Sequence, residues 1–118
     1  MRDYRKYEIW GRAHELVKEV YRFTASFPDE EKYNLSSQLR RATISIPLNI
    51  VEGSARHSDR EFTRFLFISA GSAAEVEYLI FLCYELQIIE QSSFIQFSDK
   101  VNHVKRMIYK LIQALQSK

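Results

Sequence analysis

A chain of 118 residues that is 46% apolar and 27% charged, with only three glycines and two prolines, has the balance of one folded helical domain spanning residues 1–118. That composition excludes a disordered tail, and Cys83 as the lone cysteine excludes an internal disulfide and a cysteine metal cluster. A formal charge of +2 gives little pull toward a polyanion until the positions of the charges are considered.

Met1 to Tyr7 is a basic and aromatic lead-in, with Arg2, Arg5 and Lys6 interleaved with Tyr4 and Tyr7. No cationic leader followed by an apolar run is visible, so the expected compartment is the cytoplasm. From Glu8, the residues Trp10, Ala13, Val17, Val20, Thr24 and Phe27 recur at spacings of three and four, which predicts a first helix ending near Ser26. Pro28 and the acidic run Asp29 to Glu31 follow as a solvated connection.

A second helix is predicted from Asn34 or Ser36, with Leu39, Ala42, Ile46, Asn49, Ile50 and Gly53 on its core face. Ile44, Leu48 and Val51 form a second apolar face. Pro47 lacks an N–H, so the carbonyl of Thr43 loses its usual partner and a bend is expected there; Ser69 or Ser72 could serve the freed carbonyl. A capping box, Ser58 to Glu61, opens the third helix, which carries Phe62, Leu66, Ser69, Ala73, Val76, Ile80 and Cys83 in strict alternation to about Leu86. Its longest charge-free apolar run, Phe65 to Ala74, is about half a membrane span, so a buried helix is expected and no membrane partner. A fourth helix is predicted from Ser92 or Ser93, with Phe94, Phe97, Val101, Val104, Ile108, Leu111 and Leu115 inward. Four helices with short connections give an all-α, antiparallel up-down-up-down bundle with a proline-kinked second helix.

The segments SQLRRA, IPLNIVEGSAR, EFTRFL and GSAAE carry a resemblance to a known family. Their most specific residues are Ile46, Pro47, Asn49, Ile50, Glu52, Gly53 and Arg56, then Glu61, Phe62, Arg64, Phe65 and Leu66, then Gly71, Ser72 and Glu75. In these the chain resembles the four-helix-bundle proteins encoded in intervening sequences of bacterial 23S ribosomal RNA genes, from Trp10 to the end of the fourth helix. The family commonly has a glycine at the turn between the third and fourth helices, where this chain has Gln87. The resemblance implies a homopentamer without enzymatic activity. The architecture is also similar to that of the accessory protein of diversity-generating retroelements, which binds nucleic acid and a reverse transcriptase.

The candidate chemistry is sparse. None of His14, His57 and His103 has a Glu three residues before it, so the di-metal bundle motif is missing and no metal, cofactor or small-molecule substrate is expected. Cys83 lies on the core stripe, where a thiol is ordinarily a small apolar side chain. Asn49, Glu52 and Glu75 are the polar residues whose places look specified, and the hairpin register puts Glu75 near Arg41; a register-fixing network with an Arg41–Glu75 pair is the plainer reading, a buried acid the sharper one. Cutting each helix at its middle puts eleven basic and six acidic residues at one end, a net of +5, and leaves −3 at the other. Arg56, Arg60, Arg64, Lys105, Arg106 and Lys110 at that end are the candidate phosphate contacts for structured RNA or DNA. The alternative is a protein-binding scaffold without nucleic-acid contact. Ile44, Leu48, Val51, Phe67, Tyr78 and Phe81 lie off the core stripes and predict an interface between copies of the chain.

Overall fold

In the computed structural model, which describes residues 2–31 and 34–118, four helices carry the chain: α1 (Glu8–Thr24), α2 (Leu35–Ser54), α3 (Asp59–Glu85) and α4 (Gln91–Gln116). Met1 of the lead-in and Lys32, counted at the acidic end, lie outside the described residues. Single 3-10 turns occupy Tyr4–Lys6 and Asp29–Glu31, and no strand is present among the described residues. α2 packs on α3 and α3 on α4, α1 closes the square against α2, and the α1–α4 side is the least intimate. Gly53 abuts Phe62, Ile46 bonds Ser69 and Ser45 bonds Ser72, so residue numbers rise along α2 as they fall along α3. The molecule is 46 Å long and 22 by 19 Å across, close to the ~40 Å expected of a helix the length of α3.

The third helix follows its predicted stripe: Phe62, Leu66, Ser69, Ala73, Val76, Ile80 and Cys83 are all buried. On α1 the buried line is Ile9, Ala13, Leu16, Val20 and Thr24, with Trp10 and Val17 at its half-exposed edge. A three-and-four spacing admits two adjacent faces, and here the aliphatic one turns inward. Ile112 joins the core of α4, while Phe94 and Leu111 are partly exposed.

Helix ends show the same mixture of expected and displaced features. Ser58 Oγ accepts the Glu61 N–H at 3.1 Å, so half of the capping box forms; the Glu61 carboxylate pairs with Arg64 at 3.2 Å instead. α4 starts at Gln91, earlier than either serine, because the α3 terminus reverses the chain abruptly. Gln87 adopts φ 62°, its N–H bonds Tyr84 O at 3.0 Å, and the Ile88 N–H bonds Cys83 O at 2.9 Å, a Schellman turn built without glycine.

α2 remains helical through the buried Pro47. Ser69 Oγ does donate across to α2, at 2.8 Å, but to the carbonyl of Ile46 rather than to that of Thr43. The most apolar 18-residue window of α3 has a mean hydropathy of 1.6, enough by length and composition to cross a membrane, yet only 44% of it is buried in the bundle. The remainder includes the exposed apolar residues Phe67, Ile68, Tyr78 and Phe81, interrupted by Glu75 and Glu77.

Candidate nucleic-acid interface

Three stretches distant in sequence meet at one end of the bundle. Arg2 of the lead-in donates to Arg56 O at 2.9 Å, pairs with the Asp59 carboxylate, and lays its guanidinium 4.9 Å above the Phe62 ring. Lys118 approaches the other Asp59 oxygen at 3.4 Å. The hydrogen bond from Arg2, supported by Lys118, holds the Asp59 carboxyl below its ordinary pKa of 3.8. Around this point lies a half-open cleft of about 700 Å³ lined by Arg2, Tyr7, Ala55, Arg56, His57, Asp59 and Lys118.

Beside the cleft, Arg56 and Arg64 sit over the Phe65 ring at 4.7 and 4.5 Å. Arg64, and behind it Arg56 and Arg60, lower the pKa of Glu61, so the three arginines share one neighbourhood around a single carboxylate. All three are exposed. The α4 cations do not join them. Lys105 pairs with Glu77 of α3 at 2.7 Å, about 20 Å back along α4 from Lys118, and Arg106 is its neighbour; Lys110, exposed, lies between that level and the end.

The residues singled out as specified divide sharply. Gly53 is required by packing, since a Cβ there would stand 2.8 Å from both Phe62 Cδ1 and Phe65 Cβ. Asn49 Nδ2 donates to Ser45 O at 2.8 Å and Ser45 Oγ at 3.0 Å, and Ser45 meets Ser72 Oγ at 2.7 Å, a polar seam between α2 and α3. Asn49 is therefore half-buried at the helix contact rather than in the core. Arg41 and Glu75 are both exposed and do not pair with each other; Glu52 is likewise exposed, so neither carboxylate is a buried acid.

The surplus apolar residues occupy two sides of the bundle. Phe67 packs edge-on to Tyr109 at 6.4 Å and Phe81 stands 6.2 Å from Phe94, so these and Tyr78 line the α3–α4 side. Ile44 and Val51 continue the helical line from Arg40, which bonds Thr24 of α1, and Leu48 stands further outward on α2, so this set covers the outer and α1-facing side of that helix. Leu48, Phe67, Tyr78 and Phe81 are 45–60% exposed, whereas Ile44 and Val51 are half-buried. Tyr109 and Ile95 of α4 also stand open, a contribution that the α4 core pattern did not reveal.

Little here is arranged for bond-making. Burial pushes the Cys83 thiol up to about 11, away from thiolate, and no group of three metal-ligating side chains gathers among the described residues. A groove of about 810 Å³ between α1 and α4 carries both signs of charge and is crossed by the Lys100–Glu19 pair at 2.6 Å.

Fold and site together define an all-α four-helix bundle with a cationic end and apolar flanks. The chain belongs to the family of 23S rRNA-intervening sequence proteins, whose model matches residues 5–110. Among solved structures it is similar to a protein of unknown function from the S23 ribosomal protein family of Bacteroides thetaiotaomicron, with 21% identity over 89% of this chain and 95% of that one and a TM-score of 0.83. No functionally curated protein matches it.

Proposed function

We propose that this chain is a non-enzymatic, homo-oligomeric bundle protein that binds structured RNA or another nucleic acid through its basic end. The observation that carries the reading is the convergence of exposed Arg56, Arg60 and Arg64 where α2 passes into α3. The planar Arg56 guanidinium held on the Phe65 ring is preset to meet phosphate oxygens in pairs, and Arg64 on the same ring would exchange the Glu61 carboxylate for phosphate. Arg106 and Lys110 extend the contact along α4 for a ligand longer than the end itself, with Lys105 secondary because Glu77 already holds it.

The assembly reading rests on the two separate apolar sides. A closed ring joins unlike patches head to tail, and this protomer has one patch on the outer and α1-facing side of α2 and another against α4. In a ring of five, protomers point the same way and their arginine-rich ends combine into one rim.

Binding of a structured RNA, measured by fluorescence anisotropy across a salt series, tests the reading. The logarithm of the affinity should fall linearly with log salt, and Arg60→Glu with Arg64→Glu should nearly abolish binding. Binding indifferent to both salt and charge reversal would overturn the basic end as the interface, and no binding at all would leave a protein-binding scaffold as the function.

A further inference from the structure

The geometry points to the end cleft as a site for a phosphate monoester, the group carried by the 5′ end of a processed RNA. Only the RNA source rests on the reading of this end as a nucleic-acid interface; the anion chemistry stands on the cleft itself.

An anion already occupies the position. Arg2 and Lys118, from opposite termini of the described chain, close on the two oxygens of the Asp59 carboxylate, while Arg56 and His57 line the same cleft. Two basic side chains thus hold one acid. Asp59 is tied to the backbone, so its carboxylate presents one negative charge in a fixed place, and an incoming ligand must compete with it. A phosphodiester, also singly charged, gains nothing in that exchange. A monoester carries about −1.5 to −2 at neutral pH and three strong acceptor oxygens, enough to engage Arg2, Arg56 and Lys118 together. Arg2 also keeps its bond to Arg56 O with its second nitrogen, so capture of an anion need not release the lead-in from the bundle. The cleft is walled by the lead-in, the connection between α2 and α3, and Lys118 just beyond α4.

The test compares one short RNA with a 5′-phosphate and with a 5′-hydroxyl against the whole protein, with inorganic phosphate as a third probe. The phosphorylated RNA should bind about tenfold tighter, a margin typical of one charge-assisted contact set. Asp59→Asn should widen that margin by removing the competing carboxylate, and Arg2→Ala should shrink it to within about twofold. Circular dichroism of each variant confirms that the helices remain. Equal binding of both RNAs, with the salt dependence intact, overturns the cleft and leaves the arginine surface standing. If neither RNA binds but inorganic phosphate raises the melting temperature of the protein and not that of Arg2→Ala, the monoester chemistry stands and the RNA source falls. No response to any probe overturns both.

Discussion

Gln87 holds a backbone conformation that costs an L-residue about 1–2 kcal/mol, and it does so because the chain must reverse between Leu86 and Glu90. Gln87→Gly should relieve most of that strain against the smaller cost of a more entropic unfolded chain, raising stability by about 0.5–1 kcal/mol. A thermal melt a few degrees higher is the expected reading, and an unchanged or lower one would show the turn to be unstrained. Asp59 gives a prediction with a definite sign. Its folded pKa is depressed below 3.8, chiefly by the Arg2 hydrogen bond, so the strap from lead-in to α3 is fully present above the unfolded value and is lost as pH falls through the folded one. Trp10, the sole tryptophan, packs 5.0 Å from Tyr4 of the same lead-in. Its emission should therefore change below about pH 4 in the native chain and lose that step in Asp59→Asn.

Two glycines in long helices do opposite things at the scale of the element. A methyl at Gly53 would strike Phe62 and Phe65, so Gly53→Ala should cost about 1–3 kcal/mol by forcing α2 from α3. Nothing stands within 4 Å of a methyl at Gly71, in the exposed middle of α3, so Gly71→Ala should add up to about 1 kcal/mol through helix propensity alone. Urea unfolding of the pair would show opposite shifts in midpoint; a loss at both would mean that the outer face of α3 is already in contact with something. The same helix explains what could be read in advance. Its strict four-three spacing from Phe62 to Cys83 marked the inward face, even beside a second apolar line of Phe67, Tyr78 and Phe81 that stays exposed. On α1 the aromatic Trp10 line competed with the aliphatic Ile9–Leu16 line, and only packing against α2 and α4 decides between them. Arg56, Arg60 and Arg64 could be grouped because they are close in the chain. The charge count put Arg2, Lys118 and Asp59 at one end of the bundle, but not in contact, since their meeting depends on the tertiary path of the segments that carry them.

For the whole molecule, the decisive property is that its apolar surplus lies on two unlike sides. Leu48 is half exposed on the outer side of α2, and Phe67 on the side bordering α4. Burying such side chains fully is worth ~1.5–3 kcal/mol each, so both sides favour association. Two-fold pairing would use one patch against itself, whereas a ring uses each patch against the other. In the proposed ring Leu48→Glu would spoil one half of every contact and Phe67→Glu the other, and each variant alone should sediment as a 14.0 kDa protomer. Mixed together, the intact α3–α4 side of Leu48→Glu can meet the intact α2 side of Phe67→Glu. One native contact is restored, and its opposite number is doubly charged, so growth stops at a heterodimer. Sedimentation of the mixture at twice the protomer mass is the expected outcome. Two-fold self-pairing predicts otherwise: whichever patch forms the dimer, one variant would still dimerise by itself and the mixture would gain no new species.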